Sequence, residues 1–429
     1  MATKKTTKKA KELKEEIKKE EQNNKEEQTS LLSILELIAI IIAVVIILVF
    51  FKHTVVWNTV VLLLMLGSLI FVHELGHFIM AKKFGIHVYE FAIGMGPLVL
   101  SFRRKNDPTL YTLRAFPLGG YNAIAGESYD DDENLPKEAK LCYKPKWQRF
   151  LVLVAGVTMN FITALVLLFV IGITQGTSNQ DAVIGKVDPN TPAEVAGLVP
   201  GDKIIKLNGH KVDSWYYLQI VSVLKHDNNF VYEVQHVDGS VDTYTIVPKD
   251  VIQDNDGHTY EITEEITKEK IIEDNHLNKN EYAETKVIGI YGDSEVHHGI
   301  KSALSYTFKR FWTIVRSMGL ILKSLFTGEL SLNSLSGPVG MYSVVKSAAK
   351  VGFINIIYLT AYLSINLGVM NILPIPAVDG GHVLFIFIEL ITGRRVNEKV
   401  ENAFHLVGFV LLFALMIYIS FKDVLRLFG

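Results

Sequence analysis

Phe71 to Met80 reads FVHELGHFIM and lies inside an apolar run that begins near Val55. A run of this length predicts a helix that crosses a bilayer. On a helix His73 and His77 are one turn apart, so both imidazoles share a face and can reach a single metal ion. Glu74, next to the first histidine, is placed to take a proton from an attacking water without binding the metal itself. The pattern HExxH is short and can arise by chance in a soluble helix. Two histidines and a carboxylate inside apolar sequence are costly, however, and a chain that keeps them there has a chemical use for them.

The 429 residues are 49% hydrophobic with a net charge of −2, too apolar for an average soluble protein and without the basic excess of a nucleic-acid binder. Cys142 is the only cysteine, which excludes an intramolecular disulfide framework and a cysteine-rich zinc site. A metal in this chain must rest on His, Asp or Glu.

Residues 1–30 form a charged tail, rich in Lys, Glu, Gln and Thr, that cannot bury a core. Leu31 to Phe51, LLSILELIAIIIAVVIILVFF, predicts an extra N-terminal transmembrane helix over 31–53. It is too long for a cleaved signal-peptide core, and no small-residue cleavage pattern follows it. The lysines ahead of it keep the N-terminus cytosolic. The HELGH helix, 54–84, then returns to the cytosol and ends at Lys82 and Lys83.

In 85–145 the stretch FAIGMGPLVLSFRRKNDPTLYTLRAFPLGGYNAIAGE alternates apolar residues with Gly, Pro and Asn-Asp. It reads as a cytosolic-side β region and loop with a hairpin tip at Arg103, Arg104 and Lys105. The next transmembrane helix, 146–175, carries Gly156 and Asn160 at the spacing of a helix interface. Residues 180–295 have soluble, β-rich character, with an acidic insertion at 250–286 expected as a solvated excursion. The segment 296–350 reads as amphipathic and juxtamembrane. NILPIPAVDGG then breaks the apolar segment 351–393, and 400–421 crosses once more.

Two prolines and two glycines cannot sit in a regular helix. Irregular backbone at membrane depth survives only where protein or a wet cavity surrounds it. Catalytic zinc takes three protein ligands and an open position, and Asp379, inside the break, enters the membrane from the direction opposite to the HELGH helix. An aspartate there also suits the N-cap of GGHVLFIF, and the two roles are compatible. His382 ranks second as a ligand, because a histidine at a helix start is more often a hydrogen-bonding partner.

HELGH, a GxGP-containing β region, a soluble insert and NILPIPAVDGG, in this order, resemble the site-2 protease family of intramembrane zinc metalloproteases, in its bacterial branch with a PDZ domain. The resemblance covers roughly residues 55–421. It implies a multi-span α-helical membrane protein with a membrane-associated β region and an extracytoplasmic PDZ-like α+β domain, in a bacterial cytoplasmic membrane. It also implies one catalytic Zn2+ on His73, His77 and Asp379, Glu74 as general base, and Asn366 and Asn371 against the substrate backbone. Helix–helix hydrogen bonding is the competing role for Asn366.

The insert AVIGKVDPNTPAEVAGLVPGDKIIKLNGHKV resembles the circularly permuted bacterial PDZ form, which puts the peptide-carboxylate loop at the late strand Val287, Ile288, Gly289 and Ile290. Such a groove accepts peptide C-termini by strand addition, or serves as a size filter. The implied reaction is cleavage of single-span membrane proteins or signal-peptide remnants within the lipid bilayer, with an edge strand from 91–121 pairing with the unwound substrate. No nucleic-acid partner is expected. A metal-ion transporter would show inverted repeats and no base like Glu74. An inactive adaptor presenting the PDZ-like domain would tolerate loss of Glu74 or Asp379, and both are present. The tail and the extra helix lie outside the resemblance.

Overall fold

The computed structural model describes residues 38–428 except 41, 48, 53, 128–133, 225–228, 255–258, 263–265, 276–281 and 332–333. The charged tail 1–30 lies outside the described residues, as do 31–37 of the extra helix, whose described portion is helical at 38–40 and 42–47. Among the described residues, four helices are long and apolar enough to cross a membrane, at Val55–Lys83, Lys146–Gln175, Phe353–Ile372 and Glu398–Leu425. The chain divides into two compact units, Met1–Ala164 with Ser336–Gly429, and Leu165–Leu335.

The first unit is organised by helix α1 (Val55–Lys83). Thr54 caps it, its Oγ1 accepting from the Trp57 N–H at 3.2 Å, and Lys82 and Lys83 in its last turn suit the negative end of the helix dipole. Its buried residues, Trp57, Val61, Met65, Leu69, His73, His77 and Ala81, recur four apart and form one stripe, so the two histidines face protein and not lipid.

Strands β1 (Val88–Arg103) and β2 (Leu110–Ile124) follow, and the expected β region is a curled ribbon. Val88–Ile93 pairs with Gly120–Ile124 on one side, and Glu90–Ile93 pairs with Leu110–Leu113 on the other, while Leu98–Arg103 pairs with Leu110–Arg114. Gly94 and Gly96, at φ +84° and +85°, make the bend that lets β1 pair twice. Asp107 ties the far turn to the end of α1, accepting from Lys82 Nζ at 2.7 Å, the Thr109 N–H at 2.9 Å and the Tyr111 hydroxyl at 2.9 Å. Burial raises the Asp107 pKa, but these donors outweigh it and hold the carboxyl well below the usual carboxylate range.

Helix α2 (Lys146–Gln175) begins in this unit. Where it meets α1, side chains are absent from both backbones: a Cβ on Gly76 would fall 2.3 Å from the Ala155 carbonyl oxygen.

The second unit carries helix α3 (Pro192–Val195), helix α4 (Trp215–Leu224) and a four-stranded sheet. The sheet runs β5-β4-β6-β7, with β4 (Lys203–Leu207), β5 (His210–Lys211), β6 (Phe230–Gln235) and β7 (Val241–Ile246). Ile184, Ala193, Leu207, Val221, Tyr232 and Ile246 lie in one core against it. β3 (Ile184–Val187) pairs with β11 (Ile290–Gly292).

The late strand expected at Val287–Ile290 is two strands. Gly289, at φ +86°, separates β10 (Tyr282–Val287) from β11. The insertion is not a solvated excursion either. Its β8 (Lys249–Asp254) and β9 (Thr259–Glu261) form a three-stranded sheet with β10, and helix α5 (Lys268–Asp274) buries Ile271. Val251 and Ile252 are both buried despite the acidic composition around them.

Helix α6 (Ile300–Phe326) belongs to the second unit and is amphipathic as expected. It is held there by Lys309 on Asp181 at 3.0 Å and by Arg316 on Asp213. The expected juxtamembrane segment does not stay together, however. Helix α7 (Pro338–Val351) packs Val345 and Ala349 against Trp57, Val61 and Met65 of α1, inside the first unit. Helices α8 (Phe353–Ile372) and α9 (Asp379–Thr392) flank the break at NILPIPAVDGG, and α10 (Glu398–Phe428) follows.

Candidate metal centre

Three nitrogen and oxygen donors from α1 and the start of α9 converge. His73 Nε2 lies 3.0 Å from Asp379 Oδ2, His77 Nε2 lies 3.3 Å from the same oxygen, and the two Nε2 atoms are 3.2 Å apart. Tetrahedral zinc with bonds of about 2.0–2.1 Å sets its ligand atoms roughly 3.3 Å from one another, so this triangle is the size of one tetrahedral face. Asp379 Oδ2 is buried and makes no hydrogen bond, as a ligand oxygen would be. The residues present therefore fit zinc, and a fourth position is left for water or substrate.

The imidazoles are oriented from behind. His77 Nδ1 is 2.8 Å from the Val152 carbonyl oxygen, which fixes the proton on Nδ1 and frees Nε2. His73 Nδ1 is 3.1 Å from the Asn160 carboxamide, whose Oδ1 is otherwise buried without a partner. A half-turn of that carboxamide, whose two ends have the same shape, brings Oδ1 to accept from His73 Nδ1–H. Both histidines then present Nε2 as the ligand atom. Asn160 is fully buried and anchored through its carbonyl, which accepts from Ser364 Oγ at 2.8 Å. Gly156 is as tightly placed, since a Cβ there would fall 2.4 Å from His77 Nε2.

Glu74 sits beside the triangle. Its Oε2 accepts from Asn122 Nδ2 at 2.8 Å, and its carbonyl accepts from the same nitrogen at 2.6 Å. Asn371 reaches the cluster, with Nδ2 3.3 Å from His73 Nε2. Asn366, on α8 with Asn371, is half-buried, with its Oδ1 buried and unpartnered. His382, one turn beyond Asp379 on α9, turns elsewhere: its Nδ1 is 3.2 Å from Oε1 of Glu401 on α10. Ile288, Gly289 and Ile290 line a groove of about 1380 Å3 in the second unit, together with Trp215, Leu218 and Tyr232.

The three converging side chains, His73, His77 and Asp379, were all expected from the sequence. Sequence reasoning missed the orienting groups, Asn160 and the Val152 carbonyl, because they come from a helix eighty residues away. The signal for Asn160 was present as a polar residue in an apolar span, read there only as an interface residue.

Comparison with known proteins places the chain among zinc metalloproteases. The model for peptidase family M50 matches residues 61–415. The chain is 31% identical to the zinc metalloprotease RasP of Bacillus licheniformis, over 86% of this chain and all of that protein. It is 31% identical to the regulator of sigma-W protease RasP of Bacillus subtilis, over 86% of this chain and 99% of that one. A putative zinc metalloprotease of Fusobacterium nucleatum is 36% identical, over 86% and 99% of the two chains.

Proposed function

The chain belongs to peptidase family M50, and on that footing we propose that this membrane-embedded zinc metalloprotease cleaves single-span membrane proteins or signal-peptide remnants within the bilayer. The observation that carries the reading is the His73, His77 and Asp379 triangle, of tetrahedral size, on helices that are long and apolar enough to span. Zinc bound there supplies the Lewis acidity that makes water a nucleophile near neutral pH. Glu74 takes the proton of the attacking water and hands it to the leaving nitrogen.

A peptide bond in a helix is shielded by its own hydrogen bonds, so the substrate must unwind before it is cut. The β1–β2 ribbon offers an edge at Leu98–Arg103, with Leu98 and Phe102 exposed, on which an unwound segment can replace the bonds it gave up. Asn371, beside the metal cluster, and Asn366 hold the other side of the substrate backbone. The N-terminus and the β ribbon are cytosolic, and the second unit is a PDZ-like domain on the opposite side of the membrane. Its groove at Ile288, Gly289 and Ile290 takes peptide C-termini. One relative's name, regulator of sigma-W protease, supports a regulatory protein such as an anti-sigma factor as one substrate class.

The test is Glu74→Gln, which is nearly isosteric and removes the base alone. Zinc is retained and cleavage of a single-span reporter falls by roughly 10²- to 10⁴-fold. Membrane peptides compared between cells with the active and the Glu74→Gln protein then identify the substrate class. Cleavage at the normal rate by Glu74→Gln overturns the mechanism.

A further inference from the structure

We infer that Asn122 is the residue that positions Glu74 for proton transfer, an inference that rests on the reading of Glu74 as the base. Phe71, Glu74 and Phe78 are three and four residues apart and so lie on one face of α1. Phe91 of β1 packs against both phenylalanines, with ring centroids 5.8 Å from Phe71 and 4.8 Å from Phe78, and therefore straddles Glu74. In the ladder Phe91 stands opposite Asn122, and cross-strand partners point to the same face of a sheet. The pair thus brings the Asn122 carboxamide onto Glu74.

The close approach is built in by glycine. A Cβ on Gly67 would fall 2.8 Å from the Pro117 carbonyl oxygen, and one on Gly120 would fall 3.9 Å from Glu74 Cγ and 2.6 Å from the Ala92 carbonyl oxygen. With those side chains absent, β2 lies directly along α1.

A carboxamide nitrogen carries two hydrogens, and here each has an oxygen of the same residue, the Glu74 carbonyl at 2.6 Å and Glu74 Oε2 at 2.8 Å. The first bond fixes Asn122 to the backbone of the helix that carries His73 and His77. The second fixes the rotation of the carboxylate relative to that backbone. A general base must stand within about 2.6–3.2 Å of the proton it takes, and a glutamate left to its three side-chain torsions would spend most of its time elsewhere. Oε2 is held by Asn122, so Oε1 is the oxygen free to receive the proton.

Asn122→Ala and Asn122→Asp in the full-length protein test this. The aspartate keeps the size of the side chain but, when ionised, has no hydrogen to donate, and it lacks the two N–H groups that reach both Glu74 oxygens at once. Metal content, kcat and KM are measured on a single-span reporter. Both variants keep zinc and KM, and kcat falls about 10- to 100-fold, part of the total that a general base supplies. In the Glu74→Gln background, Asn122→Ala changes the residual rate by less than about two-fold, because groups that act as a unit are lost together. Wild-type kcat in either variant overturns the inference, and so does a loss carried entirely by zinc or by KM. Failure of the base reading looks different: Glu74→Gln itself then cleaves normally.

Discussion

Among the described residues, two groups of two histidines and one carboxylate stand in the first unit, and they are built for different work. In the first, the rings of His73 and His77 meet edge to face at 79°, with centroids 4.8 Å apart. In the second, His382 and His405 stack at 14° with centroids 3.8 Å apart, beside Glu401. A nitrogen lone pair lies in the plane of its ring, so rings set edge to face can aim at one point, whereas stacked rings keep theirs in separate, nearly parallel planes. The second group instead holds backbone. His405 Nδ1 accepts from the Ala377 N–H at 3.1 Å, and Ala377 sits at φ +69°, a strained conformation for a residue with a Cβ. Next to it Pro376 fills the space over Gly408, where a Cβ would fall 2.1 Å away. One group is shaped for a metal, and the other fixes the loop that delivers Asp379.

The largest effect expected follows from that contrast. His73→Ala, His77→Ala and Asp379→Ala each lose zinc and cleavage, by more than the roughly 10- to 100-fold that removal of an outer-shell partner costs. His382→Ala and His405→Ala keep one zinc per chain. Metal analysis of the purified variants checks both statements. Two zinc ions in the unaltered protein, or full zinc in Asp379→Ala, would break the comparison.

The contrast also shows what could be read in the sequence. HELGH was legible because two histidines and a glutamate within one turn of a helix need no tertiary information to be read as candidate ligands and a candidate base. Asp379 was legible because prolines and glycines in apolar sequence announce a break. Choosing Asp379 over His382 from the sequence needed the expectation that a helix-start histidine makes a hydrogen bond, which its contact with Glu401 bears out. Asn122 was not legible as a functional residue. It stood in a β region whose curl, set by Gly94 and Gly96, brings a strand onto α1 only in three dimensions. The insertion was misread because Asp and Glu dominate its composition, while Val251 and Ile252 lie in a strand and are buried.

A smaller effect sharpens the reason the first group converges. Both groups lean on glycine, but Gly156 lies against the ligands themselves, where a Cβ would fall 2.4 Å from His77 Nε2 and 2.7 Å from His73 Cε1. Neither ring can retreat without pulling its Nε2 out of the triangle. Gly156→Ala is therefore expected to cost about 1–3 kcal/mol of overpacking, felt as zinc affinity weakened roughly 10- to 100-fold with the protein still folded. Zinc titration against a competing chelator measures it. Unchanged affinity would mean that α1 and α2 can separate without disturbing the site.

The smallest effect concerns a histidine outside both groups, on the second unit, whose role is set by its proton. His236 Nδ1 is 2.7 Å from Asp202 Oδ1, a carboxylate that is fully buried, and His236 Nε2 is 3.3 Å from Asp242 Oδ2 and 3.0 Å from the Tyr244 hydroxyl. The bond to Asp202, with the charges of Asp242 and Asp238, raises the imidazole pKa above its ordinary value. Asp202 Oδ2 in turn accepts from the Val199 N–H at 3.0 Å, so the pair joins the turn before β4 to the end of β6. A raised pKa means that the folded state binds the proton more tightly than the unfolded chain does. The pair's contribution is then complete below the unfolded value of about 6.5 and is lost as pH rises through the folded value. Thermal unfolding of the full-length protein in detergent, followed from pH 6 upward, is expected to show this loss for the unaltered chain. His236→Gln should have a lower Tm at pH 6 and a flatter profile above it, with zinc content unchanged. If the two profiles run parallel, folding leaves the affinity of the imidazole for its proton unchanged and the Asp202 contact adds no pH-dependent stability. The two membrane histidine groups should be indifferent to this substitution.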